Sequence, residues 1–224
     1  VGIRLLTLGS LKRPVAALLG VLVALAMAAP AFGAFTGSVS TIGPALRERM
    51  TGVSWRQGCP VALRDLRLVT VTHIGFDGRA RQGRLVVHED VARDVVGVFR
   101  KLYDAGYPIR RMKLIDAYGG SDFDSIEADN TSAFNCRRAT GSGSWSQHAY
   151  GLAIDLNPIE NPYVEGGRVY HADSWRYVNR SKRLKGMIRA GDVVVRAFAS
   201  IGWGWGGSWT GSVKDYQHFS ASGR

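Results

Sequence analysis

The sequence predicts an α+β domain, a small antiparallel sheet with flanking helices. Three observations carry this: β-branched apolar runs near residues 66–72 and 84–88, apolar residues at helical spacing near 90–105 and 192–202, and no composition break after residue 60. With 224 residues, 46% hydrophobic and 21% charged, the chain has globular composition, which excludes a disordered, collagenous or coiled-coil protein.

Residues 1–33 read apart from the rest. Arg4, Lys12 and Arg13 precede the apolar run Val15 to Ala29, and small residues follow at Ala31 and Gly33, the pattern of an export signal. An uncleaved membrane anchor is the alternative, although the run is short for a bilayer span. Residues 34–58 are polar and Gly-rich and read as an N-terminal arm, with a short helix starting at Pro44 and running to Met50. The domain proper is expected over 59–224.

Leu66 to Thr72 (LRLVTVT) predicts a strand, Gly75 to Gly83 around Asp77-Gly78 a turn, and Arg84 to His88 a second extended segment. Val91, Val95, Val98, Phe99 and Leu102 repeat at helical spacing until Gly106 and Pro108 stop the helix. Met112 to Ala117 predicts another strand. Tyr118 to Gln147 is long and polar, the kind of loop that is functional or disordered. Asp192 is a good N-cap for a last helix, through Val194, Ala197, Phe198 and Ile201 to Gly202.

Lys and Arg total 29 against 18 Asp and Glu, a formal charge of +11, so a long-range partner is expected to be anionic. Removal of three basic and no acidic residues with the signal takes +11 to +8. For an exported chain the relevant anions are cell-wall polymers and lipid headgroups rather than nucleic acid, and the cations are scattered rather than blocked. Two cysteines, Cys59 and Cys136, in an exported chain predict a disulfide; a Cys136 nucleophile is the alternative.

Among five histidines, two sit in informative surroundings. His148 ends a polar turn that runs into an alternating strand, where Leu152, Ile154 and Leu156 face one side and Ala153, Asp155 and Asn157 the other. Asp155 thus lands on a face cleared by small residues. Asp215-Tyr216-Gln217-His218 could add a further ligand and place a carboxylate beside it. Two histidines and one carboxylate form a catalytic zinc set that supports hydrolysis. Singly, each histidine reads as a hydrogen-bonded structural residue; the case rests on the combination. His88-Glu89 lacks a second histidine at position 92, which is Ala92, and there is no S-x-x-K, G-x-S-x-G or P-loop. Trp203, Trp205 and Trp209 could wall a cleft, but core and turn positions are the simpler reading. His73, His88 and His171 receive no role, His171 being a loop partner of Asp173.

The runs SWSQHAYGLAIDLNPIENPY (Ser144 to Tyr163), WGWGGSW (Trp203 to Trp209), DYQHF (Asp215 to Phe219) and NTSAFNCR (Asn130 to Arg137) resemble the zinc D-alanyl-D-alanine carboxypeptidase and L-alanyl-D-glutamate endopeptidase family, from about Val53 to Phe219. The resemblance implies a hedgehog-like fold and action on the stem peptide of bacterial peptidoglycan. It implies that His148, Asp155 and His218 hold one zinc ion, and that Asp215 is the general base that then protonates the leaving amine. Arg137 would grip a substrate carboxylate or polarise the scissile carbonyl, and Ser146 would bind substrate backbone. Some members carry E-x-W-H where this chain has Asp215 and Gln217 before His218; the shorter acid looks more like the endopeptidase branch, and the scissile bond stays open. The expected protein is a secreted, wall-associated enzyme with no membrane span after signal cleavage. Its rival is a non-catalytic peptidoglycan-binding module of the same fold, against which the acid beside His218 argues.

Overall fold

The computed structural model describes residues 1–2 and 33–224, and the expected export signal falls outside the described residues. Residues Phe32–Arg224 form one compact unit. Among the described residues, no helix is long and apolar enough to cross a membrane.

The first layer is a three-stranded antiparallel sheet in the order β1 (Gly37–Thr41), β2 (Leu66–Ile74), β3 (Ala80–His88), with α1 (Pro44–Met50) between the first two strands in sequence. The predicted strand and extended segment are β2 and β3, both longer than expected. The turn between them shrinks because Asp77 accepts from the Arg79 N–H and pairs with Arg81, which pulls residues 80–83 into the ladder. The stretch read as an arm contains an edge strand. Gly37 to Thr41 has one partly buried apolar residue, Val39, so its sequence signal is weak. Its order comes from the free edge of β2, in register from Gly37 opposite Val71 to Thr41 opposite Arg67.

Helix α2 (Ala92–Asp104) lies on this sheet. Its buried stripe of Val95, Val98, Phe99 and Leu102 joins Val69, Val71, Leu85 and Val87 in one core. The described strand β4 (Arg111–Met112) is shorter than the predicted 112–117, and it pairs in parallel with β5 (Asn130–Thr131). The Asn130 side chain explains the stop: its amide accepts from the Lys113 N–H and donates to the Lys113 carbonyl, removing both groups from a ladder. The long polar region is not a bare loop, since it holds α3 (Asp122–Glu127), capped by Ser121, as well as β5.

The second layer is a three-stranded antiparallel sheet in the order β6 (Ala153–Asp155), β10 (His218–Ser220), β8 (Gly204–Trp205). Strands β7 (Tyr163–Glu165) and β9 (Val213–Asp215) form a separate antiparallel pair. Helix α4 (Val193–Ala199) begins where expected, because the Asp192 carboxylate accepts from the N–H groups of Val194 and Val195. Its Phe198 stacks on Phe219 with centroids 4.1 Å apart, which ties the second sheet to the same core. The molecule is thus the α+β domain that the sequence predicts.

Candidate metal centre

Register builds the centre. In the β6–β10 ladder, Ile154 lies opposite Phe219 and Asp155 opposite His218. Side chains alternate across a strand, so seating the fully buried Ile154 and Phe219 in the core turns Asp155 and His218 together to the other face. The third residue arrives on the one-turn helix Gln147–Tyr150. Ser146 caps that turn, its hydroxyl accepting from the His148 N–H at 3.3 Å. Gly151 closes the turn at φ +69°. A Cβ there would lie 2.6 Å from the His88 nitrogen, so the position requires glycine for both conformation and space.

The coordinating atoms of His148, Asp155 and His218 all lie within 4.8 Å of one another, and all three residues are buried. His148 Nδ1 donates to the Ala133 carbonyl at 2.6 Å, so a neutral imidazole presents a lone pair at Nε2. That Nε2 lies 3.2 Å from Asp155 Oδ2 and 3.3 Å from His218 Nδ1, while His218 Nδ1 lies 3.0 Å from Asp155 Oδ1. Acceptors facing one point without enough donors require positive charge, either protons or a metal ion. Two imidazole nitrogens and one carboxylate oxygen suit a divalent transition metal.

The electrostatics agree. Burial alone would raise the Asp155 pKa, but with the imidazoles protonated the charge and hydrogen bond of His148 and the hydrogen bond from His218 hold it well below the usual range. A metal ion would supply the same positive charge in place of those protons. Burial would lower His218, yet the bond to Asp155 and the charges of Asp155 and Asp215 raise it. Asp215 is pushed up to about 6, first by burial and then by the Asp155 charge. It ends β9, and its Oδ1 is buried with no hydrogen-bond partner. The turn Gly206–Ser208 lies against it because Gly206 has no side chain, a Cβ there falling 2.4 Å from the Asp215 carbonyl oxygen.

Arg137 occupies a neighbouring ladder: the Ser146 N–H donates to the Arg137 carbonyl and the Asn135 N–H to the His148 carbonyl. Its guanidinium pairs with Asp122 at 2.6 Å, and its Nε is buried and unpartnered. Cys59 and Cys136 form a disulfide, with Cα atoms 5.8 Å apart, immediately before Arg137. The tryptophans divide: Trp203 and Trp205 belong to the core, whereas the half-buried Trp209 ring lies 5.8 Å from the His218 ring. His171 does not pair with Asp173 but with Glu127, at 2.5 Å. His88 caps the turn before α2 by accepting from the Asp90 N–H, and His73 is a buried strand residue.

Sequence reasoning missed Asp122, Gly151 and Gly206. Gly151 had a local signal, a glycine directly after a turn, whereas Asp122 meets Arg137 only through the folded path of the polar region. In comparisons with known proteins, no curated protein and no solved structure matches the chain. A family model does match: over residues 140–221, the stretch that carries His148, Asp155, Asp215 and His218, the chain is similar to the D-alanyl-D-alanine carboxypeptidase family of peptidases.

Proposed function

We propose that the protein is an exported zinc metallopeptidase that hydrolyses an amide bond in the stem peptide of peptidoglycan, as a D-alanyl-D-alanine carboxypeptidase or an L-alanyl-D-glutamate endopeptidase. The observation that carries this reading is the convergence of His148 Nε2, His218 Nδ1 and an Asp155 oxygen near Asp215, whose Oδ1 is buried and unpartnered. The family match over the same stretch supports it.

In this reading His148, Asp155 and His218 hold one zinc ion, whose chemistry is to polarise the scissile carbonyl and make water acidic enough to attack near neutral pH. Asp215 takes a proton from the attacking water at a carboxylate oxygen and passes it to the nitrogen of the leaving amine as the C–N bond breaks. Burial of its carboxyl raises its proton affinity toward the range useful for both steps. Arg137, whose guanidinium is oriented by Asp122 and by the Arg138 carbonyl, offers the N–H groups these leave unpaired to a substrate carboxylate or to the carbonyl oxygen as charge develops there. The Ser146 hydroxyl accepts from the His148 N–H and keeps its own proton to donate to substrate backbone. The cationic surface would retain the exported protein on an anionic wall.

The test is digestion of purified peptidoglycan by zinc-loaded protein, with a chelated control, read by mass spectrometry. Loss of one terminal alanine identifies a carboxypeptidase, and peptides released from the glycan-linked L-alanine identify an endopeptidase. Metal-loaded protein that yields no chelator-sensitive product would overturn the peptidase reading in favour of a binding module.

A further inference from the structure

Within the Phe32–Arg224 unit, the large apolar side chains that stay exposed among the described residues are Phe123 (58%), Tyr170 (62%) and Trp175 (58%). They are not scattered. Phe123 packs on His171 with ring centroids 4.8 Å apart, His171 follows Tyr170, and Trp175 lies on the short helix Ala172–Tyr177 that begins directly after His171. Ser174 and Tyr177 on that helix are buried, which leaves Trp175 facing outward.

Two of the rings along this segment are held at polar tips, Tyr170 directly and Phe123 through the His171 on which it packs. The Tyr170 hydroxyl donates to Glu165 at 2.9 Å, and His171 is held by Glu127 at 2.5 Å. Both ends of the strip connect to the candidate centre. Phe123 is adjacent to Asp122, which grips Arg137; at the other end Tyr170 lies 6.0 Å from the ring of Tyr163, which is opposite Asp215 in the β7–β9 ladder.

We propose that Phe123, Tyr170 and Trp175 form a platform that binds the glycan strand of peptidoglycan, seating sugar rings while an attached stem peptide enters the centre. This rests on reading the site as a peptidoglycan peptidase. An exposed aromatic patch beside such a centre calls for a ligand with apolar faces. Stem peptides are short and charged, and offer methyl groups and flexible methylene stems rather than a rigid apolar face to match three ring faces. A pyranose ring offers an apolar C–H face to stack on an aromatic ring and a polar edge for hydrogen bonds, which Glu165 and Glu127 are placed to accept. The platform thus makes polymeric wall, rather than free peptide, the preferred substrate.

The experiment uses the full chain loaded with zinc, and as probe the glycan strands of purified wall stripped of stem peptides and of anionic polymers. The wild type is expected to bind these strands, and to keep doing so in high salt, because ring stacking is not screened as ion pairing is. The double variant Tyr170→Ala, Trp175→Ala should bind about tenfold more weakly or worse, the scale of losing aromatic stacking at two rings. It should cleave free stem peptide as well as wild type but polymeric wall more slowly. Tyr170→Phe, Trp175→Phe should retain strand binding, and an unchanged melting temperature in both variants excludes misfolding.

No strand binding by the wild type, or undiminished binding by the alanine variant, overturns the proposal. So does an equal loss on free peptide, which would mean that the rings serve the peptide instead. A wild type that binds strands through these rings yet cuts neither substrate leaves the platform standing and removes the peptidase reading.

Discussion

At the scale of single residues, Asp215 differs from the three converging side chains in having an unpartnered oxygen, Oδ1, where each of them is engaged with another. The lone pairs of a ligand set converge on one shared point, whereas a base must keep one free for water beside it. Asp215→Asn should therefore retain stoichiometric zinc by elemental analysis and lose about 10²–10⁴-fold in hydrolysis, the usual share of general base catalysis. His148→Ala should lose the metal itself, because it removes an imidazole already oriented by the Ala133 carbonyl. Full activity in Asp215→Asn would remove that residue from the mechanism.

At the scale of elements, the centre depends on how its turn and strands are pinned. Gly151→Ala would hold a side chain at φ +69° and press its Cβ against the end of β3, 2.6 Å from the His88 nitrogen and 3.0 Å from the Val87 carbonyl carbon. The substitution should lower stability in urea by about 1 kcal/mol or more, because both the conformation and the space are wrong for alanine. Since the same turn carries His148, zinc affinity should fall with it. Asp192→Ala makes the contrasting case. It removes the cap that serves Val194 and Val195, at a cost of about 1 kcal/mol, while α4 stays packed through Phe198 and hydrolysis per folded molecule is unchanged.

At the scale of the whole molecule, two long-range devices hold the chain. The Cys59–Cys136 disulfide spans 77 residues of sequence, so its reduction should lower stability by up to about 4–5 kcal/mol in the chain-entropy picture, read as a fall in melting temperature with and without reductant. The second device is a cluster in which Arg110 pairs with Asp129 at 2.9 Å and donates to the carboxyl of the fully buried Glu160 at 2.8 Å. Burial, then the hydrogen bond and charge of Asp129, push the Glu160 pKa from 4.5 up to about 8. The folded protein therefore keeps a proton there that the unfolded chain has released, so this stabilisation is complete below about pH 4.5 and is lost as pH rises to about 8. Glu160→Gln should flatten that part of the stability curve, measured by urea unfolding across the same range. An unaltered pH dependence would show that Glu160 does not carry the proton.

Local chemistry in the sequence by itself determined the α+β class, the positions of α1, β2, α2 and α4, and the face on which Asp155 lies, because spacing, caps and alternation act within a few neighbours. The full set His148, Asp155 and His218 was named through the family resemblance, and the β6–β10 register is what brings Asp155 and His218 together. The alternation around Asp155 already turned it to the face opposite Ile154. Tertiary structure alone decided the rest. Edge strand β1 forms because β2 offers unpaired backbone groups, and the strand after Met112 ends because Asn130, distant in sequence, takes the Lys113 backbone. Asp122 reaches Arg137, and Phe123 packs on His171, through contacts between segments far apart in the chain. Such contacts leave no periodic trace in sequence, since their energy depends on which distant groups the completed core brings within reach.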